Sequence, residues 1–373
     1  MAEVDRTQGP VPRLVAWETT RACTMACVHC RAEAQCNPDP RQLTHEEGLR
    51  LLDGIASFSS PIVILTGGEP LMRPDIFEVA KYGVSKGLRM VMSPCGTSLT
   101  PDIVQKIKEA GISRLSISLD GSSPAMHDTF RGTPGAFDAT IRGMSYCREA
   151  GVGFQINTTV TKRNVDDLPA ILETVLKVGA AAWHPFMLVP TGRGIAIRNE
   201  EVPPEQYESV LRWVEKVSQE HPIHIKPTCA PHYVRILGQT RAERRKEAPV
   251  EGATHPIHPP MHGNGGGHPS GMHAITKGCM AGDGFCFVSH TGEVHGCGFL
   301  TLLAGSVREK SFPEIYQDSP VFQTLRDIAR LEGKCGVCEF AAKCGGCRAR
   351  ALAETGNYLA EEPYCVYQPK RAR

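Results

Sequence analysis

The chain has 373 residues, and its 41 Lys and Arg against 40 Asp and Glu give a formal net charge of +1. That balance excludes a protein that grips long nucleic acid by charge alone, and 41% hydrophobic with 22% charged residues argues against global disorder. No apolar run reaches the roughly 18 residues of a membrane span; the start Met1-Ala2-Glu3-Val4-Asp5-Arg6 has no signal-peptide pattern, so the expected compartment is the cytoplasm and the length suggests about two domains.

Through residue 230, short apolar or β-branched runs alternate with amphipathic stretches. Strands are expected at 13–17, 61–65, 89–93, 114–119, 153–160 and 181–189, each bounded by Gly, Pro or polar residues. Helices are expected at 44–56, 75–86, 101–110, 137–150 and 166–178. Thr44 with Glu47 three residues later forms a capping box, and Thr100 before Pro101 sets an N-cap ahead of a proline at the first helical position. Six strand–helix repeats read as βαβ units around a parallel sheet. They are too few for a closed eight-fold barrel, so the expected fold class is α/β, an open partial (β/α)6 TIM-like barrel. Such folds place their chemistry at the carboxyl ends of the strands.

A further helix is expected over 203–220, then the pattern breaks. Residues 241–246 are a charged run, and 253–273 hold His255, His258, His262, His268 and His273 with prolines and the triplet Gly265-Gly266-Gly267. This reads as a linker over 241–278. It separates a unit at 1–240 from a Cys- and Gly-rich unit at 279–373.

The fifteen cysteines are the compositional anomaly. In a reducing compartment, clustered cysteines more often bind metal than form disulfides. Cys23, Cys27 and Cys30 lie just beyond the first strand. Cys279, Cys286, Cys297, Cys335, Cys338, Cys344, Cys347 and Cys365 form the second group. Cys36, Cys95, Cys147 and Cys229 stand apart and read as buried small hydrophobes. Three thiolates in one loop suit an iron–sulfur cluster with one iron left open to a ligand; the structural alternative is zinc with a fourth ligand.

The spacing Cys23-x3-Cys27-x2-Cys30 after a first strand, with Thr66-Gly67-Gly68-Glu69-Pro70 after the second, resembles the radical S-adenosylmethionine (SAM) enzymes. The resemblance implies a 4Fe–4S cluster on Cys23, Cys27 and Cys30, and a Gly67, Gly68 and Glu69 loop that meets the amino group of SAM. It implies further that Ser118 meets the ribose, Arg131 the SAM carboxylate, and Leu188 with Val189 the adenine. Asn157 and Thr159 are weaker candidates. Two glycines let a backbone approach closely, and an Arg can pair a carboxylate through two N–H groups.

The carboxy-terminal pattern, Cys279-x12-Gly292-x4-Cys297 with Cys335-x2-Cys338-x5-Cys344-x2-Cys347 and Cys365, resembles the SPASM extension of that superfamily, which carries auxiliary 4Fe–4S clusters. By that resemblance Cys279, Cys286, Cys297 and Cys347 form one ligand set, and Cys335, Cys338, Cys344 and Cys365 another. The last gap has two residues where the family usually has three. One auxiliary cluster, or a zinc ribbon on the two Cys-x2-Cys pairs, are the alternatives to two clusters.

Three segments are more specific: Thr20-Arg21-Ala22-Cys23 with Cys27-Val28-His29-Cys30-Arg31-Ala32; Leu188-Val189-Pro190-Thr191-Gly192-Arg193-Gly194; and Cys335 to Arg350 followed by Leu359-Ala360-Glu361-Glu362-Pro363. Together they resemble the AhbD-type haem synthases. This implies oxidative decarboxylation of two propionates of iron-coproporphyrin III to vinyls, giving haem b, with a ferredoxin or flavodoxin as reductant and an auxiliary cluster as electron sink. Tetrapyrrole side-chain enzymes of the NirJ or AhbC type, and SPASM peptide maturases, are the rival readings. A substrate with four carboxylates calls for cations, for which Arg193, Arg198, Lys226, His232 and Arg235 are candidates, and His273 is a candidate contact to the porphyrin iron.

Overall fold

A computed structural model describes residues 9–247 and 277–370. The expected strands appear as β1 Leu14–Glu18, β2 Ile62–Thr66, β3 Arg89–Met92, β4 Leu115–Ser118, β5 Phe154–Val160 and β6 Ala182–Met187. A two-residue β7, His224–Ile225, follows. Helices α1 His45–Ala56, α2 Ile76–Ser85, α3 Pro101–Glu109, α5 Ala136–Glu149, α6 Leu168–Lys177 and α7 Pro204–Glu220 match the expected ones. α4 Pro124–Arg131 and α8 Tyr233–Glu247 were not expected. α8 absorbs the charged run after residue 240.

β1 to β7 are parallel and neighbour one another in chain order. Alternation decides which face is covered. In β5 the residues Phe154, Ile156, Thr158 and Val160 are buried, whereas Gln155, Asn157 and Thr159 are half-buried. Phe154, Ile156 and Val160 pack with Leu168, Ile171, Leu172 and Val175 of α6 in the main core, so the half-buried set lines the concave inside of the sheet. The capping box of α1 forms as expected: the Glu47 N–H donates to Thr44 Oγ1 at 3.3 Å, and the Thr44 N–H donates to Glu47 Oε2 at 2.8 Å.

The carboxy-terminal unit joins the same sheet. β8 Phe285–Val288 pairs parallel to β1 on its free side, and β9 Glu293–Cys297 and β10 Leu300–Ser306 continue antiparallel, giving one ten-stranded sheet. Short helices α9 Phe312–Asp318, α10 Pro320–Arg326, α11 Gly333–Val337, α12 Ala341–Cys344 and α13 Arg348–Thr355 complete the chain. Among the described residues no helix is long and apolar enough to cross a membrane.

Candidate active site and cysteine centres

Cys23, Cys27 and Cys30 lie in the loop beyond β1, packed in a small apolar cluster with Met25, Ala34, Ala136 and Cys95. Burial pushes the Cys23 thiol up to about 11, with Glu69, Cys27 and Cys30 adding to the rise. As a free thiol it stays protonated at neutral pH, so taking up iron displaces a proton. Among the described residues no three His, Cys, Asp or Glu side chains converge on a single-ion position. A cubane asks less of its thiolates, each of which binds a different iron.

Gly67 and Gly68 serve the chain's own packing. A Cβ on Gly67 would stand 2.5 Å from the Thr20 carbonyl oxygen, and one on Gly68 2.4 Å from that of Ala22. The glycines let the loop after β2 hydrogen-bond along the segment entering the cysteine loop: the Gly68 N–H donates to Thr20 O and the Glu69 N–H to Ala22 O, both at 2.7 Å. Glu69 is fully buried. Its carboxylate accepts from the Leu71 N–H at 3.1 Å and the Cys95 N–H at 2.7 Å, and no ion pair to it exists among the described residues. Burial therefore raises its pKa. A buried carboxyl group without a cation beside a three-thiol loop fits an ammonium group.

Arg131, at the end of α4, reaches the same place. Its Nη2 stands 2.6 Å from Asp120 Oδ2, and Nη1 donates to Cys27 Sγ at 3.6 Å, while buried Nε has no partner among the described residues. The Nε edge remains for a carboxylate. Asp120, the residue after Leu119, was not singled out in the sequence; it anchors Arg131 and accepts from the Thr159 N–H at 2.7 Å. His29 of the cysteine loop packs tilted against Phe130, ring centroids 4.5 Å apart, and its Nδ1 also has no partner among the described residues. Burial, then Arg131, holds this imidazole well below its usual range and therefore neutral.

Ser118 ends β4, and Asn157 and His184 follow it in register across β5 and β6, forming one row on the concave face. Gln155 stands 3.1 Å from His184 Nδ1. Leu188 and Val189 are nearly fully buried. Val189 packs towards the carboxy-terminal cysteines, so it belongs to that wall.

The sequence-based substrate cations are not brought together. Arg193, in the 3₁₀ turn Gly192–Glu200, donates from Nε to Cys27 O and from Nη1 to Ala34 O, each at 3.0 Å, and thus braces the cysteine loop. Arg198 donates to Ala353 O in α13 at 2.7 Å. Lys226 follows β7 at the level of Trp183, near the amino end of β6 and close to Arg13, so it is at the wrong end of the barrel. His232 and Arg235 are buried beside the distal cysteines. His273 lies outside the described residues.

The carboxy-terminal cysteines form two groups. Cys335, Cys338, Cys344 and Cys365 line one cavity with His232, Arg235, Lys334, Phe340, Gly346, Glu362 and Tyr367. Cys279, Cys297 and Cys347 cluster with Cys229, and burial among these three neighbours raises the Cys229 thiol. Here the placement departs from the grouping inferred by resemblance. Cys286 sits in the middle of β8, fully buried in the main apolar core, because period-two alternation points its side chain at the helical layer. Cys229 stands beside Cys279, Cys297 and Cys347 instead. Its φ is +57°, a left-handed conformation that non-glycine residues rarely adopt. Its carbonyl is held by the Tyr207 hydroxyl at 2.9 Å and Arg350 Nη1 at 3.0 Å, so the surrounding structure maintains the strained backbone. Of the other isolated cysteines, Cys147 is buried as expected, Cys95 is half-buried against Glu69, and Cys36 is exposed.

Glu362 bridges the two groups. It accepts from the Cys347 N–H at 2.6 Å, and its own N–H donates to Cys335 Sγ at 3.3 Å. Fully buried Arg350 donates to Leu188 O at 2.8 Å and pairs with Glu201 at 3.4 Å and Glu362 at 3.5 Å. It therefore ties β6 to both cysteine groups.

Comparison with known proteins shows the family of both parts of the chain. The Radical SAM superfamily model matches residues 17–175, and the SPASM iron-sulfur cluster-binding domain matches residues 279–347. An AdoMet-dependent heme synthase of Methanosarcina barkeri is 48% identical over 96% of this chain and 97% of its own length. One from Nitratidesulfovibrio vulgaris is 46% identical over 97% of this chain and 94% of its own. In fold, the crystal structure of Streptococcus suis SuiB bound to precursor peptide SuiA aligns with a TM-score of 0.72 over 96% of this chain and 76% of that one, at 14% identity.

Proposed function

Since the chain belongs to the radical SAM superfamily and carries its SPASM extension, we propose that it decarboxylates two propionates of iron-coproporphyrin III to vinyls, giving haem b. The observation that carries this reading is identity of 46–48% along both halves to enzymes named AdoMet-dependent heme synthase. When bound, SAM and its cluster supply a 5′-deoxyadenosyl radical, and auxiliary clusters offer an acceptor for electrons. Each propionate gives up one hydrogen atom from its β-carbon, one electron and carbon dioxide, and becomes a vinyl group.

This chain's residues have distinct tasks. Cys23, Cys27 and Cys30 hold the cluster. Glu69 takes the SAM ammonium, Arg131 Nε its carboxylate and Ser118 its ribose, with Leu188 as the apolar contact to adenine. Cys229, Cys279, Cys297 and Cys347 hold one auxiliary cluster, and Cys335, Cys338, Cys344 and Cys365 a second. The concave face suits a macrocycle with carboxylate arms. Ile62 and Ile64 of β2 make its apolar side, and Ser116, Gln155, Asn157 and His184 its polar side. The compartment is the cytoplasm and the reductant a ferredoxin or flavodoxin.

The test incubates the anaerobically reconstituted protein with SAM, dithionite and iron-coproporphyrin III and weighs the porphyrin. Two successive losses of carbon dioxide plus two hydrogens are expected. SAM cleavage with unchanged porphyrin would overturn the substrate assignment and favour a NirJ- or AhbC-type enzyme.

A further inference from the structure

His232 is 1% exposed, and neither ring nitrogen has a hydrogen-bond partner among the described residues. Leaving buried polar atoms unpaired is costly, so such a group calls for a partner in the loaded protein. The ring lies on Tyr207 at a centroid distance of 4.8 Å, which fixes its plane. It lines the cavity that also holds Cys335, Cys338, Cys344 and Cys365. Three residues earlier, Cys229 faces the other cysteine group. The segment 229–232 thus touches both centres.

We propose that His232 donates a ring N–H hydrogen bond to a sulfur of the cluster held by Cys335, Cys338, Cys344 and Cys365, and so raises that cluster's reduction potential. The argument is one of complementary chemistry. An imidazole carries at least one N–H donor in either protonation state, and a thiolate-bound cluster offers only acceptors. The cavity's carboxylate, Glu362, is already engaged by the Cys347 and Tyr364 N–H groups and by Arg350. Of the other polar side chains on the wall, Arg235 and Lys334 are cations that accept nothing, and the Tyr367 hydroxyl is engaged with Glu339. A hydrogen bond to cluster sulfur stabilises the more negative, reduced state, and such bonds are among the determinants of cluster potential. The centre next to His232 is thereby a better electron acceptor than it would be without that bond. This inference rests on the second auxiliary cluster proposed above.

The test uses the reconstituted holoenzyme. Mössbauer spectroscopy of the wild type counts the clusters, and pulsed EPR of the reduced protein labelled with 15N-histidine looks for histidine nitrogen near them. Three clusters are expected, with one auxiliary cluster showing a weak 15N coupling of hydrogen-bond size. In His232→Phe that coupling disappears, and one auxiliary midpoint falls by at least 59 mV, a tenfold change in the reduced-to-oxidised ratio. His232→Gln, which keeps an N–H donor, recovers part of the shift. Unmoved midpoints in His232→Phe, or a coupling of directly bound nitrogen, would overturn the hydrogen bond. If His232→Phe loses the cluster, the wild-type coupling and His232→Gln decide. A wild type with two clusters overturns the ligand reading and this inference with it; three clusters without a histidine coupling overturn this inference alone.

Discussion

Arg193 ties the middle of the three-cysteine loop to the residues just beyond it with one guanidinium, donating 3.0 Å to the Cys27 carbonyl and 3.0 Å to that of Ala34. Its own N–H donates to Cys30 O at 3.0 Å, so side chain and backbone hold the loop from the same side. A Gln at this position cannot span both carbonyls. Arg193→Gln leaves about two acceptors unpaired, at roughly 1–3 kcal/mol each. The expected outcome is several-fold lower retention of the SAM-site cluster after desalting, with the auxiliary iron retained. Iron analysis with EPR of the reduced protein reads this directly, and full retention would mean that the thiolates alone order the loop.

Cys229 and Cys286 are to be separated by iron count. Cys229→Ala is expected to remove one auxiliary cluster. Cys286→Ala is expected to keep all of them and to lose only about 1 kcal/mol of stability, since it removes one buried sulfur from an apolar core. Mössbauer spectra of the two variants decide. Loss of a cluster in Cys286→Ala with none lost in Cys229→Ala would reverse the ligand sets.

Gly68 lies where any side chain meets backbone. A Cβ would be 2.4 Å from Ala22 O and 2.6 Å from Arg21 O, and neither atom is at the end of a flexible side chain. Gly68→Ala is expected to push the loop after β2 away from the cysteine loop, costing about 1–3 kcal/mol as overpacking does. SAM binding, read by calorimetry on the holoprotein, weakens with it, because Glu69 moves too. Normal affinity in a normally stable variant would contradict the close-approach role.

A cross-unit ion pair gives a pH signature. Arg308, beyond β10, donates to both oxygens of Glu47 in α1 at 2.8 and 2.9 Å, and this holds the Glu47 carboxyl at about 2 against an ordinary 4.5. A depressed carboxylate contributes stability that is present above the unfolded value and lost as pH falls through the folded one. Both side chains are partly exposed, so screening limits the pair to about 1 kcal/mol. Glu47→Gln should lower the melting temperature at pH 7, and its difference from wild type should shrink steadily between about pH 4.5 and pH 2. A constant difference over that range would assign the effect to the helix cap instead.

Much of the fold was legible because strand and helix periods are local. The six expected strands and the Thr44–Glu47 cap depend on residues within a few positions of one another. So does the cysteine triplet, whose three thiols lie within a single loop. Where the candidate substrate cations would lie was not legible, because a charged residue's partner is set by neighbours far along the chain. Arg193 binds carbonyls about 160 residues away, and Arg235 pairs with Glu208 and stacks on Tyr367. Cys229 has one local signal: it stands in Pro227-Thr228-Cys229-Ala230-Pro231, a proline-bracketed segment shortly after a strand.

By itself the order of residues determined the parallel β/α core, the three-thiol loop with Glu69 nearby, and the cysteine-rich end, because spacing along a chain dictates what one turn or strand can present. Tertiary structure alone decided that β8 docks on β1, turning Cys286 into the core. It alone placed Cys229 with Cys279, Cys297 and Cys347, and His232 against the other four thiols. Which side chains share a wall depends on how separate elements pack, and that is a balance of burial over the whole molecule that no short stretch of sequence contains.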